Sequence, residues 1–246
     1  MVFLGGSGND LFDASLTTGS VSLIGNSGDD TLTGGSGDDV VSGDSGNNLL
    51  TGGAGTDTLW VLGSFHLQLA ASTASGAGHD TFSQFEQAVL EGGLGNNRLD
   101  ASSATIPVLL LGQGGNDTLL GGSANDVLNG GTGTDFAEIT GTNIVLTNAS
   151  APGSNGDTLT SIEGLLLVAA GPDSVINAGA YTQGNVTIVG SSGNDTLTGG
   201  SGDDVIIAGA GDDVVTGGNG NDIIVGQGGH DSLSGEAGDD TILGGQ

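Results

Sequence analysis

Asp stands in the sixth place of six nonapeptides that follow one another without a gap over residues 190–243: GSSGNDTLT, GGSGDDVII, AGAGDDVVT, GGNGNDIIV, GQGGHDSLS and GEAGDDTIL. If two nonapeptides make one coil of a stacked chain, carboxylates eighteen residues apart fall into columns. Asp195, Asp213 and Asp231 then share one edge, and Asp204, Asp222 and Asp240 the other. Coils stacked as parallel sheets lie about 4.8 Å apart. Two carboxylates about 5 Å apart repel by roughly 3 kcal/mol at an effective dielectric near 20. A two-edged ladder of such pairs exceeds the roughly 5–15 kcal/mol that holds a typical domain together. A cation must lie between the rungs, and the chain's only Lys or Arg is Arg98. Carboxylates and free turn carbonyls offer oxygen alone, which selects a hard ion of flexible coordination, Ca²⁺ before Mg²⁺.

The rest of each nonapeptide positions that Asp. Gly in the fourth place is expected to supply a positive φ or a close backbone approach in a tight turn. Places seven to nine read as a three-residue strand whose middle side chain points to one side and its neighbours to the other. The eighth place is apolar in all eighteen windows that align, Leu32, Val41, Leu50, Leu59, Leu197, Ile206, Val215, Ile224, Leu233 and Ile242 among them, and is expected to face the core. The fold this predicts is all-β: a parallel β-roll or β-helix solenoid with two nonapeptides per coil.

Tandem copies fill three arrays, 25–60, 112–138 and 190–243, with an isolated copy at 5–13. Between them, 61–111 and 139–189 read as irregular β-rich coils. The first holds FHLQLA (65–70), the worn nonapeptide SGAGHDTFS (75–83) and FEQAVLE (85–91); the second holds NIVLT, GDTLTSIEGLLLV and NVTIV. Gly52 to Gly130 and Gly112 to Gly190 are both 78 residues, and Asp80 and Glu86 correspond to Asp157 and Glu163 at 77. The spacers are therefore parts of a longer repeat, and one continuous solenoid over 1–246 is expected. No segment reads as helix, because Gly every few residues with β-branched residues between disfavours it.

The net charge of −28 excludes nucleic acid as a natural partner, since one cation cannot displace phosphate counterions. Of the 29 acids, 21 occupy the fifth or sixth place of a window, so the charge is placed rather than scattered. With no Cys there is neither a disulfide framework nor a thiolate metal site. No run reads as a membrane span, so no membrane insertion is expected. The chain opens and closes inside a repeat, so it is expected to be a segment of a longer repetitive protein.

GGSGDDVVS and GGNGNDIIV resemble the repeats-in-toxin (RTX, haemolysin-type) calcium-binding nonapeptide, GGxGxDxUx. The resemblance implies a right-handed parallel β-roll holding several Ca²⁺ ions between successive turns, export by type I secretion, and folding outside the cell. Carried over residue by residue, it implies metal ligation by Asp30, Asp39, Asp57, Asp117, Asp126, Asp135, Asp195, Asp204, Asp213, Asp222, Asp231 and Asp240, with Asp10 and Asp80 as outliers. Asn48, Asn97 and Ser174 replace the Asp.

Other motifs carry less. GDSG at 43–46 is in phase with the repeats and has no His and Asp set beside it, so no catalytic residue is expected. His79 and His230 fill the fifth place, His66 stands apart, and Asn148 and Asn185 begin N-x-S/T triplets. In the last array one outer face carries Val205, Ile207, Ile223, Val225 and Leu243, an apolar stripe that suggests self-association. Two functions follow: a calcium-binding structural module that folds on Ca²⁺ outside the cell, as part of an adhesin, surface-layer or matrix-fibre protein; or the export and folding domain of a type I-secreted enzyme or toxin.

Overall fold

The computed structural model describes residues 1–246 except 65, 77, 148–149, 152–155 and 246. Phe65 of the expected strand and Asn148 therefore lie outside the described residues. The chain divides into two compact units, Met1–Gly133 and Thr134–Gln246. Among the described residues every regular element is a β-strand.

In the first unit, Val2–Leu4, Ser22–Ile24, Val40–Ser42, Thr58–Leu62, Gln87–Glu91, Val108–Leu111 and Val127–Asn129 stack in that order into one sheet. Leu11–Asp13, Thr31–Thr33, Leu49–Thr51 and His79–Ser83 begin the opposite sheet, whose last strands within this unit are Arg98–Asp100 and Thr118–Leu120. The chain passes from one sheet to the other at every nonapeptide turn, so sequence neighbours sit across the core and pairing partners one coil apart. Thr31 pairs with Leu49 in parallel register, eighteen residues on, as the repeat requires.

The irregular spacers add antiparallel pairs to the parallel coils. His66–Leu69 and Thr73–Ser75 form an antiparallel hairpin, and Thr73–Ser75 is antiparallel to His79–Ser83 as well. The worn copy after the hairpin rejoins the roll, pairing Thr81 to Leu49 and Phe82 to Leu50 in parallel. The second spacer has its own antiparallel pair, Ser150–Ala151 with Asp157–Thr160.

The second unit stacks Phe136–Gly141, Gly164–Ala169, Asn185–Val189, Val205–Ala210, Ile223–Gly228 and Thr241–Leu243 on one side. Asn143–Thr147, Val175–Ala180, Thr196–Thr198, Val214–Asn219 and Ser232–Ala237 stack on the other. Among the described residues the strands within each of these two stacks pair in parallel.

The eighth places meet between the sheets. Leu32, Val41, Leu50, Leu59, Leu197, Ile206 and Ile224 are fully buried. Each such side chain contributes about 1.5–3 kcal/mol relative to exposure. Three-residue strands leave room for only one or two inward side chains per side, which explains a core of Leu, Ile, Val and Ala with almost no rings. The single Tyr, Tyr181, is an exception: it is buried at a corner and donates its hydroxyl to the Ile162 carbonyl at 2.9 Å. Burial, with the charge of Glu163 behind it, pushes that phenol up to about 12. Leu233 is only half-buried and Ile242 is exposed, because each core position is covered from both neighbouring coils and these have a neighbour on one side.

Candidate metal centre

The sixth-place Asp side chains form the expected columns, and the structure adds what holds them. Oδ1 of each accepts the backbone N–H of the sixth place one coil earlier. Asp195 N–H donates to Asp213 at 2.8 Å and Asp213 to Asp231 at 3.1 Å. Asp204 donates to Asp222 at 2.8 Å and Asp222 to Asp240 at 2.9 Å. In the first unit the runs are Asp10 to Asp30 to Asn48 to Asp80, and Asp39 to Asp57. Asn97 N–H donates to Asp117 at 2.7 Å. Val21, Val108, Ser174 and Val186 begin columns by donating to Asp39, Asp126, Asp195 and Asp204. Asp135 donates its own N–H to Glu163.

The second oxygen divides ten of the fourteen expected ligands into two kinds. Oδ2 of Asp10, Asp39, Asp126, Asp195 and Asp204 accepts the N–H of its own second-place residue, at 2.6 Å from Gly35 and from Gly200. Oδ2 of Asp30, Asp57, Asp213, Asp222 and Asp231 is buried with no hydrogen-bond partner. The cause is the turn. In the second group the second place is left-handed, at Asn26 (φ 71°), Gly53 (120°), Gly209 (114°), Gly218 (124°) and Gln227 (69°), so its N–H points elsewhere. The fourth-place glycines of those turns, Gly28, Gly55, Gly211, Gly220 and Gly229, are left-handed too.

The two alternatives read for the fourth-place Gly divide between the two kinds of turn. Only the second kind of turn needs its positive φ. Gly37, in a turn of the first kind, is required by close approach instead: a Cβ there would lie 2.6 Å from the Gly19 and Ser20 backbone. Ala124 occupies the fourth place of another such turn, where no left-handed φ is asked for. The bare turns are the ones stacked on another nonapeptide turn, their third-place N–H donating to its second-place carbonyl, as Ala210 does to Ser191 and Asn219 to Gly200.

Each first-place Gly shows where the free oxygens converge. A Cβ on Gly25 would run into Asp30 Oδ2 and the Gly43 carbonyl, and one on Gly217 into Asp222 Oδ2 and the Gly235 carbonyl. These cradles hold a carboxylate oxygen and a carbonyl oxygen from successive coils. Among the described residues no three His, Asp or Glu side chains gather into a cage, so backbone carbonyls must supply the remaining protein ligands. Ca²⁺ accepts that mixture; a metal wanting a compact side-chain set does not. The residues fit calcium because their buried carboxylates have no other counter-charge.

The electrostatics agree. Burial pushes Asp204 up to about 6, with the Asp222 and Asp203 charges adding to it. Asp57, Asp213 and Asp222 are raised first by burial and then by neighbouring carboxylates; burial likewise raises Asp80 and Asp126. Such shifts mark carboxylates whose charged form is buried with no cation beside it.

Sequence reasoning missed a second ladder, made by the fifth place and running in the opposite sense. Asp203 N–H donates to Asn185 Oδ1, Asn221 to Asp203, and Asp239 to Asn221. On the facing edge Asn194 donates to Asp173, Asp212 to Asn194 and His230 to Asp212. Asn9, Asp29, Asn47 and His79 repeat the device in the first unit. Charged and neutral rungs alternate, so no two carboxylates are successive in these exposed columns. The signal was present as N/D alternation at eighteen-residue spacing. His79 and His230 are rungs here, and the Ser45 hydroxyl of GDSG donates to the Asn26 carbonyl at 3.0 Å.

A β-solenoid whose corners carry columns of buried, cation-seeking carboxylates is a calcium-binding repeat protein. The family model of the RTX calcium-binding nonapeptide repeat matches residues 24–59, 109–137, 182–215, 189–224 and 216–246, more than half of the chain, and the chain belongs to that family. Several Ca²⁺ ions are therefore its cofactors, and its repeats are of the kind typical of type I-secreted extracellular proteins. No curated protein matches the chain. No helix among the described residues is long and apolar enough to cross a membrane.

Asn48 offers a test of the ladder. It lies in a turn of the bare kind, with Asp44 at φ 59° and Gly46 at 123°, yet is a neutral rung whose Nδ2 donates to Asp80 Oδ1 at 2.8 Å. Asn48→Asp should raise the calcium concentration needed to fold the chain, because a new carboxylate between Asp30 and Asp80 costs about 3 kcal/mol without an ion. At saturation it should bind an additional Ca²⁺. A calorimetric titration reads both, and an unchanged ion count refutes the assignment.

Proposed function

We propose that this chain is a calcium-stiffened structural module of a large secreted protein, an adhesin, surface-layer or matrix-fibre component, that folds only after export and performs no catalysis. The observation that carries the reading is the set of buried carboxylate oxygens without a hydrogen-bond partner, Oδ2 of Asp30, Asp57, Asp213, Asp222 and Asp231. A chain carrying them is stable only where Ca²⁺ is abundant. With site constants near 0.1–1 mM, about 10 mM Ca²⁺ adds roughly 1.4–2.7 kcal/mol per site, and sub-micromolar cytosolic Ca²⁺ adds almost nothing.

A structural role is favoured over the export domain of an enzyme or toxin by the longer repeat. The corner after Ser83 recurs after Thr160, residue for residue in backbone hydrogen bonding. Architecture repeated at this scale makes length. The parent coding sequence decides between the two readings: further 78-residue copies support this one, and a catalytic domain overturns it.

The module's contact with another copy would use the outer face of the second unit. Val168, Val189, Ile207, Val225 and Leu243 are successive pairing partners across five parallel strands, with Val205 and Ile223 beside them. Ile223 is 45% and Leu243 55% exposed. An aliphatic strip about 19 Å long, at the strand spacing of a sheet, offers apolar area away from the carboxylate edges. Replacing Ile207 and Val225 by Lys should leave calcium-dependent folding intact and abolish self-association; unchanged sedimentation of the double variant refutes the contact.

A further inference from the structure

Two of the corners that are not nonapeptide turns share one form. In the first unit the six-residue turn is replaced by Gln84, Phe85 and Glu86: Gln84 is left-handed (φ 60°), Phe85 is 7% exposed, and Glu86 lies outward. The N–H groups of Glu86 and Gln87 both donate to the Asp57 carbonyl at 3.2 Å. In the second unit Ser161 (φ 52°), Ile162 and Glu163 do the same, with Glu163 and Gly164 both donating to the Asp135 carbonyl at 3.0 Å. In both, the Glu Oε2 accepts the backbone N–H of the Asp one coil earlier at 2.8 Å. The longer Glu side chain thus takes the rung that a sixth-place Asp takes elsewhere.

We propose that Glu86 is a calcium ligand and that, with Asp57 and the Gln84 carbonyl, it forms a further metal site outside the nonapeptide pairs, repeated by Glu163 beside Asp135. Asp57 is fully buried and its Oδ2 has no hydrogen-bond partner. That oxygen and the Gln84 carbonyl converge on Gly52, where an added Cβ would collide with the carbonyl and lie 2.8 Å from Oδ2. In the ordinary cradle the second oxygen is a first-place Gly carbonyl, as the Gly52 carbonyl is for Gly34 and Asp39. Here a shortened corner presents fewer carbonyls, and a second carboxylate makes up the deficit. Glu86 uses one oxygen on the Asp57 N–H, and its exposed carboxylate is open to an ion and the waters Ca²⁺ retains. Two carboxylates on one ion give this site more charge than a single-Asp cradle, so it fills early in a titration.

The inference rests on the calcium reading of the arrays, and the chain carries a reporter that separates the two. Trp60, the only Trp, lies three residues after Asp57. Terbium(III) occupies calcium sites and emits when a nearby indole transfers energy to it. The full 246-residue chain, excited where Trp absorbs and Tyr181 does not, should show terbium emission at low ion concentration. Glu86→Gln keeps an oxygen to accept the Asp57 N–H but removes the charge. It should raise the half-saturation of that emission about tenfold, the order by which ligand charge moves calcium affinity. Glu163→Gln should leave the Trp60 signal unchanged and lower the number of Ca²⁺ ions bound in equilibrium dialysis. An unaltered half-saturation in Glu86→Gln, or an unaltered ion count in Glu163→Gln, overturns the proposal while leaving the arrays as calcium sites. A chain that binds no ion at all overturns both.

Discussion

In EDTA the chain is expected to lose its β-sheet circular dichroism and expand, and in millimolar Ca²⁺ to recover both. No other perturbation should act on it so strongly. The columns bury Asp30, Asp57, Asp213, Asp222 and Asp231 with one oxygen unpartnered on each. In the run Asp195, Asp213, Asp231 a single backbone hydrogen bond separates successive carboxylates. Repulsion of roughly 3 kcal/mol per pair over such runs exceeds the total stability of an ordinary domain. The core cannot offset it, since each coil contributes only one or two inward aliphatic side chains per sheet. Calcium reverses the balance, because ions that bind the folded chain alone add their binding energy to its stability. A circular dichroism spectrum in EDTA superimposable on that in calcium would sink this account.

Acid should act with opposite signs on the two forms. Asp204 rises to about 6 in the folded chain from an ordinary 3.8, by burial first and then by the Asp222 and Asp203 charges, and Asp57, Asp126, Asp213 and Asp222 move the same way. A raised folded-state value means the folded chain holds protons that the unfolded chain releases. Its stabilising contribution is complete below about 3.8 and is lost as the pH rises through about 6. Calcium-free chain should therefore compact as the pH falls from about 7 toward 4. Calcium-loaded chain should loosen over the same interval, because protons compete with the ion for carboxylates that must be ionised to bind it. Scattering or circular dichroism against pH, with and without calcium, gives the two slopes, and two slopes of one sign would refute the assignment.

Much of this was legible from the residues alone. A period of nine with an apolar eighth place dictates two strands per coil, and that alone puts Asp213 next to Asp195 and Asp231, since eighteen residues return the chain to the same corner. The absence of Lys then makes a cation obligatory. Spacing carries this information because a solenoid turns sequence distance directly into spatial neighbourhood.

What the tertiary structure decided lies where that conversion fails or where one turn depends on the next. Asp195 and Asp213 stand in the same motif, yet Ser191 donates to the first while Gly209 turns its N–H away from the second. The difference lies in the turn one coil before, a regular nonapeptide turn for Asp213 and the worn one around Asp173 and Ser174 for Asp195, which no single repeat records. Glu86 reaches Asp57 across 29 residues and Glu163 reaches Asp135 across 28, because the antiparallel inserts break the spacing of eighteen. Only the folded roll shows which residue returns to the corner after an insert, since an insert's length in sequence says nothing about how far it carries the chain in space.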